Sequence, residues 1–264
     1  MENLSEKDQS SQPEWQPTYV RPPGLEMTMG IALFGLILMI FFFLQAGVFF
    51  AGVMKASPEF EGRNLMELMA DESFNARMQE LVFNGDLVAK EAIWSGGIGL
   101  LLILFSTRLW KRTNFNTFLG LHAPRVQELL KWLGIFMVLG IATEVISRNV
   151  PGFQTDFMTR ILGSTTDRVL LLIGIGLAAP LFEEFLLRGL LLGSIRHMAD
   201  EHTAVAITAG VFTLMHMQYN WQIMLLILPM GIVLGYARTR SGSIWVPVVL
   251  HVLNNTVSVL MPVE

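Results

Sequence analysis

The sequence predicts an all-α, polytopic transmembrane helix bundle of about seven spans, with six to eight as the range. Two observations carry that fold class. Hydrophobic residues make up 52% of the 264 and charged residues only 15%, an excess that water-soluble domains do not carry. Runs of about 18 or more mostly apolar residues also recur along the chain, each long enough to cross a hydrocarbon core of roughly 30 Å. In lipid every backbone polar group must be satisfied within the protein, so open-edged strands are excluded and the spans are helices.

The elements follow in order. The opening MENLSEKDQSSQPEWQPTYVRPPG lacks a basic n-region and is rich in Ser, Gln, Pro and acids. Residues 1–28 are therefore read as a solvated polar tail, not a cleaved signal, with the first apolar segment as a retained signal anchor. Spans are predicted at 29–53, 88–107, 129–147, 169–195, 203–217, 221–237 and 243–261. Region 29–166 holds the N-terminal helices and a long amphipathic loop at about 54–87. Within that loop NLMELMADESFNARMQELVFNGD has apolar residues at helical spacing, which predicts a surface helix capping the bundle; an interfacial or substrate-gating role is the alternative. Region 167–264 is the polar-bearing core.

Charge narrows the partners. The 22 acidic and 18 basic residues include no Lys/Arg block able to neutralise a phosphate backbone, which excludes nucleic acid as a partner. With no cysteine, disulfides, thiolate metal sites and cysteine nucleophiles are absent. With seven spans, Arg108, Lys111, Arg112, Arg125, Arg196, Arg238 and Arg240 fall on the side of the N-terminal tail, which places that side in the cytoplasm. Pro180 cannot donate to the carbonyl of Gly176 and should kink or open its helix. Gly231 and Gly235 form a GxxxG that predicts close helix packing.

Three polar islands interrupt the apolar pattern. In APLFEEFLLRGLLLG, Glu183, Glu184 and Arg188 share one span, although an ionised group at mid-membrane costs about 2.5–3.5 kcal/mol. Glu184 and Arg188 are four apart on one face and predict a structural ion pair. Glu183 is rotated by about 100° from Glu184 and is left without that partner, free to act as a base. FTLMHMQYN places Phe212 and His216 four apart, and VVLHVLNNTVSVL places His251 and Asn255 four apart with Asn254 on another face. Counted from the predicted span starts, Glu183 lies about 14 residues in, His216 about 13 and His251 to Asn255 about 8 to 12, which predicts one shared middle layer.

Peptide hydrolysis needs a base for water, a stabiliser for the oxyanion and an acid for the leaving amine. Glu183 with His216 supplies the first and third; His251 and Asn255 supply donors for the second. There is no GxSxG, no HExxH and no aspartate well inside a span, so serine-elbow, helix-paired zincin and aspartyl-dyad chemistries lack their parts. Glu183, His216 and His251 are also a sufficient three-ligand set for zinc. A ligating Glu183 would need another base, and Glu184 would serve only if Arg188 released it, so metal-free glutamate catalysis is favoured and zinc is the alternative. RHMADEH, with His197, Asp200, Glu201 and His202, reads as a solvated turn capping the next helix.

EEFLLRG, FTLMH and HVLNN resemble the EExxxR, FxxxH and HxxxN signatures of the CPBP (Abi) family, which contains the type II CAAX prenyl endopeptidases and prokaryotic relatives linked to bacteriocin self-immunity. The likeness covers Asp167 to Val263. It implies an intramembrane protease, with Glu183 matching the catalytic glutamate, His216 its partner in activating water, and His251 and Asn255 the pair holding the oxyanion. Members of the family are often labelled metalloproteases. The compact chain resembles the prokaryotic relatives, which implies a plasma-membrane protein acting on a peptide or membrane-protein tail. A non-catalytic membrane protein, a transporter or immunity factor using the polar layer for binding, is the competing reading.

Overall fold

The computed structural model describes residues 23–111 and 114–260. Helix α1 (Pro23–Ala56) is followed by a 3₁₀ turn (Pro58–Phe60), α2 (Leu65–Ala70), α3 (Glu72–Leu81), α4 (Gly85–Lys111), α5 (Phe115–Leu119), α6 (Val126–Asn149) and α7 (Phe157–Ser164). Then come α8 (Arg168–Ile195), α9 (Glu201–Leu214), α10 (Trp221–Ser241) and α11 (Trp245–Leu260). No strand occurs among the described residues. Five helices, α1, α4, α6, α8 and α10, are long and apolar enough to cross a membrane, and α11 is apolar but shorter. These make the chain an integral membrane protein with a polytopic helical fold.

Two expected boundaries move. The tail expected over 1–28 lies outside the described residues as far as 22, and residues 23–28 already belong to α1. A proline is tolerated at the first helical position, where its missing N–H is not needed. The fifth expected span, 203–217, ends early: α9 has 14 residues, about 21 Å at 1.5 Å per residue, and does not by itself match a core of roughly 30 Å. Beyond Leu214 the N–H groups of His216, Met217 and Tyr219 reach back only three residues, to the carbonyls of Thr213, Leu214 and His216. That tightening converts the helix into a turn, and the side chain of Asn220 then caps α10 by accepting from Ile223 N–H at 2.9 Å.

The long loop folds as amphipathic spacing predicts. Asn64 and Asp71 cap α2 and α3, and the bonds from Ser73, Arg63 and Phe74 hold the Asp71 carboxyl well below the usual carboxylate range. Phe60, Leu68, Phe74 and Leu81 pack with Val53 of α1 and Leu87 of α4, so the segment covers one end of the bundle. At the other end Lys111 pairs with Glu26 and Glu201 bonds Thr239 and Arg240. Asp200 caps α9 through the N–H groups of His202 and Thr203, the turn expected for RHMADEH.

Small residues set the helix spacing around α8. Ala89 of α4 faces Gly174, and Gly96 and Gly99 face Ala178 and Phe182, so α4 and α8 run in the same direction. A Cβ on Gly174 would lie 2.7 Å from the Cα and carbonyl oxygen of Ala89, and one on Gly235 would lie 2.8 Å from the Val205 side chain. The former contact is with backbone, which cannot step aside. Gly174→Ala is therefore expected to cost about 1–3 kcal/mol of stability. Gly97→Ala, with nothing within 4 Å, is expected to be neutral or slightly stabilising. Thermal melts of both variants in one detergent check this; equal melting temperatures would remove the steric explanation.

Candidate active site

The site is built on α8, and α8 is not a regular helix. Two π-helical stretches, Leu172–Ala178 and Phe185–Leu191, flank the six residues Ala179–Glu184 that carry both glutamates. Wide turns of this kind are rare and occur mostly at functional sites. The opening expected at Pro180 takes this form: the Ala179 N–H reaches back five residues, to the Gly174 carbonyl, just before the proline that has no N–H to offer.

Glu184 and Arg188 form the ion pair at 3.1 Å with both side chains fully buried. Arg188 also donates to the Gly231 carbonyl of α10 at 2.8 Å and lies 4.8 Å from the ring centroid of Phe212 on α9. One guanidinium thus joins three helices. Gly231 is suited to this contact because α9 approaches it closely, with Phe212 3.1 Å and Ala209 3.2 Å from where its Cβ would be. The pair is not isolated, because the same Glu184 oxygen faces His251 Nδ1 at 2.8 Å.

That contact fixes the imidazole. With Nδ1–H donated to a carboxylate, His251 turns Nε2 toward Glu183, whose Oε2 is 3.9 Å away. Glu183 is 16% exposed in its side chain, and its Oε2 is buried without a hydrogen-bond partner among the described residues. The edge of the layer is aromatic: Phe212 lies 4.8 Å from His216 and 5.5 Å from His251, centroid to centroid.

His216 sits in the turn after α9, not within a span as expected. Its Nδ1 is 2.8 Å from the Phe212 carbonyl, which can only accept, so Nδ1 carries the proton and Nε2 is left for chemistry. Tyr219 stacks on its ring at 6.3 Å and meets Phe157 of α7 at 5.0 Å. Asn255 points its amide nitrogen at the Ile175 carbonyl of α8, 3.0 Å away, and Asn254 donates to Asn255 Oδ1 at 3.3 Å. The structure therefore joins Glu183, Glu184, Arg188 and His251 by direct contacts, ties His216 to them through Phe212, and sets Asn255 one turn along α11 against backbone. Ile175 and Tyr219 were not singled out by residue type, and Gly231 was singled out only as half of a packing GxxxG; Tyr219 left a sequence trace as the aromatic three residues after His216.

Among the described residues no three His, Asp or Glu side chains are grouped to hold a metal ion, although Nδ1 of both histidines is held and Nε2 of each stays open. Glu183, His216 and His251 do not form a zinc set in this arrangement.

Residues 165–257 match the family model described as type II CAAX prenyl endopeptidase Rce1-like. Over this segment the chain is similar to that family. The match takes in α8, α9, α10 and most of α11, and with them every residue of the site. The chain is also 30% identical over 135 residues to the "Uncharacterized 24.3 kDa protein" of Escherichia coli, covering 49% of this chain and 62% of that one. It is 27% identical over 95 residues to the "Putative membrane peptidase YdiL" of Bacillus subtilis (strain 168), covering 36% and 38%. The chain thus spans less than two thirds of either relative. No solved structure matches it. The segment matched by the family model begins after α7, so α1 to α7 lie outside that match.

Proposed function

We propose that the chain is an intramembrane endopeptidase that hydrolyses a peptide bond in a membrane-associated peptide or protein tail, with Glu183 as a metal-free general base. One observation carries this reading: a carboxylate oxygen that is buried and accepts no hydrogen bond stands 3.9 Å from an imidazole nitrogen whose ring is fixed by a second carboxylate. The Rce1-like match over 165–257 and the name of the Bacillus relative support the same class of reaction.

Glu183 takes a proton from water as the oxygen attacks the scissile carbonyl. His251 donates from Nε2 to the developing oxyanion. Because Nδ1–H is already given to Glu184, that donation requires the imidazolium, whose charge Glu184 balances. The proton then moves to the leaving amine, with His216 Nε2 as the relay. The turn that carries His216 is non-helical backbone among helices, tolerated at membrane depth where it lines a protein interior.

Comparative membrane proteomics of cells carrying the wild type or Glu183→Ala tests the proposal. An uncut precursor is expected to accumulate in the variant. Identical membrane proteomes together with an unchanged phenotype of the variant would favour the non-catalytic membrane protein instead.

A further inference from the structure

The wide turn before Pro180 leaves one backbone acceptor without a backbone donor. In an α-helical register the Ile175 carbonyl would accept from Ala179 N–H, but that group is committed to Gly174. In the i→i−5 register that Ala179 follows, the next donor would be residue 180, a proline without an N–H. Neither register can therefore satisfy Ile175, and a carbonyl left open inside a membrane bundle is costly. The side chain that fills it comes from another helix: Asn255 Nδ2 donates to Ile175 O at 3.0 Å. Asn254 holds the other end of that amide through Asn255 Oδ1.

We infer that Asn255 is a positioning residue that caps the carbonyl orphaned by Pro180 and so locks the wide turn of α8 that aims Glu183 at His251. The inference builds on the reading of Glu183 as the base, and it differs from a role for Asn255 as oxyanion donor. The packing agrees with a lock at this place. Gly176, the next residue on α8, leaves room for Thr256, the next on α11, with Thr256 Oγ1 3.3 Å from where a Cβ would be. The two helices are registered there by both a side-chain bond and a close approach. Four residues toward the N-terminus of α11, His251 meets Glu184, so one helix face both sets the turn and carries the imidazole.

The test supplies the missing donor by another route. Pro180→Ala gives residue 180 an N–H that can complete the i→i−5 ladder to Ile175, making the Asn255 amide redundant. Melting temperatures in detergent are measured for wild type, Pro180→Ala, Asn255→Ala and the double variant. Asn255→Ala alone is expected to melt roughly 2–10 °C lower, and the double variant to melt with Pro180→Ala. In a cleavage assay Asn255→Ala is expected to lose about 10–100-fold in kcat with little change in KM, and the double variant to recover most of that loss. If Asn255→Ala does not accumulate, Asn255→Asp takes its place in the cycle, and its recovery in the Pro180→Ala background counts as the expected result.

If Asn255→Ala lowers the melting temperature equally in the wild-type and the Pro180→Ala backgrounds, the cap is overturned. Restored stability with kcat still low overturns the positioning role and returns Asn255 to the oxyanion. The melting arm needs no substrate, so its outcome stands apart from whether the chain proves to be a protease.

Discussion

Glu183→Gln is expected to abolish cleavage while the protein inserts, folds and melts as the wild type does. The amide keeps the volume of the carboxyl and removes its basicity, so a loss of about 10²–10⁴ in kcat is the size of effect that general-base removal produces. Stability should hold, because the buried Oε2 accepts no hydrogen bond from the described residues and His251 keeps its anchor on Glu184. The measurement is steady-state cleavage of a fluorogenic peptide built on the precursor that accumulates in the membrane proteome, paired with a thermal melt. A variant that keeps more than about a tenth of the wild-type kcat has not lost its general base, and Glu183 would then have to be reassigned to substrate binding.

Which of the two adjacent glutamates pairs with Arg188 was legible in the sequence because it depends only on helix geometry: an i,i+4 carboxylate and guanidinium share a face, and the neighbouring residue is turned away. His251 and the Glu183–Glu184 pair were placed in one layer for the same kind of reason. What the sequence did not show were the acceptors made of backbone. The Gly231 carbonyl that receives Arg188 and the Ile175 carbonyl that receives Asn255 belong to residues whose side chains say nothing about them. Only the prior fact that Pro180 lacks an N–H pointed to an unsatisfied group, and it pointed to the Gly176 carbonyl, because a regular α-helical register was assumed.

The end of α9 was hidden for a related reason. Apolar residues continue through Met215 and Met217, so hydropathy carries the span to 217, whereas the hydrogen-bond pattern leaves the helix at Leu214. Placing His216 in a turn rather than in a helix matters chemically, because the Nδ1 contact with the Phe212 carbonyl sets which ring nitrogen is available. The covering loop, by contrast, was readable: its apolar residues at helical spacing became α2 and α3 packed on Val53 and Leu87. The partition of Glu184 as purely structural needs extension, since its oxygen serves Arg188 and His251 together.

That double service makes Glu184→Gln the substitution with the largest expected effect on stability. Arg188 is fully buried, and removing the one carboxylate paired with it leaves a desolvated cation with the Gly231 carbonyl, the face of Phe212 and the more distant charge of Glu183. Breaking a buried pair from one side costs about 3–5 kcal/mol, which corresponds to roughly 6–20 °C in melting temperature for a chain of this order of size. Activity should fall as well, because a neutral amide still accepts from His251 Nδ1 but no longer balances an imidazolium. The double variant Glu184→Gln, Arg188→Met separates the two consequences. With both charges gone the desolvation penalty disappears, and stability is expected to recover by most of the lost amount. Cleavage is not expected to recover, since His251 still lacks its counter-charge. An unchanged melting temperature for the single variant would mean that the pair contributes no net stability. Restored cleavage in the double variant would mean that Glu184 acts only through Arg188, and that the orientation of His251 has another source.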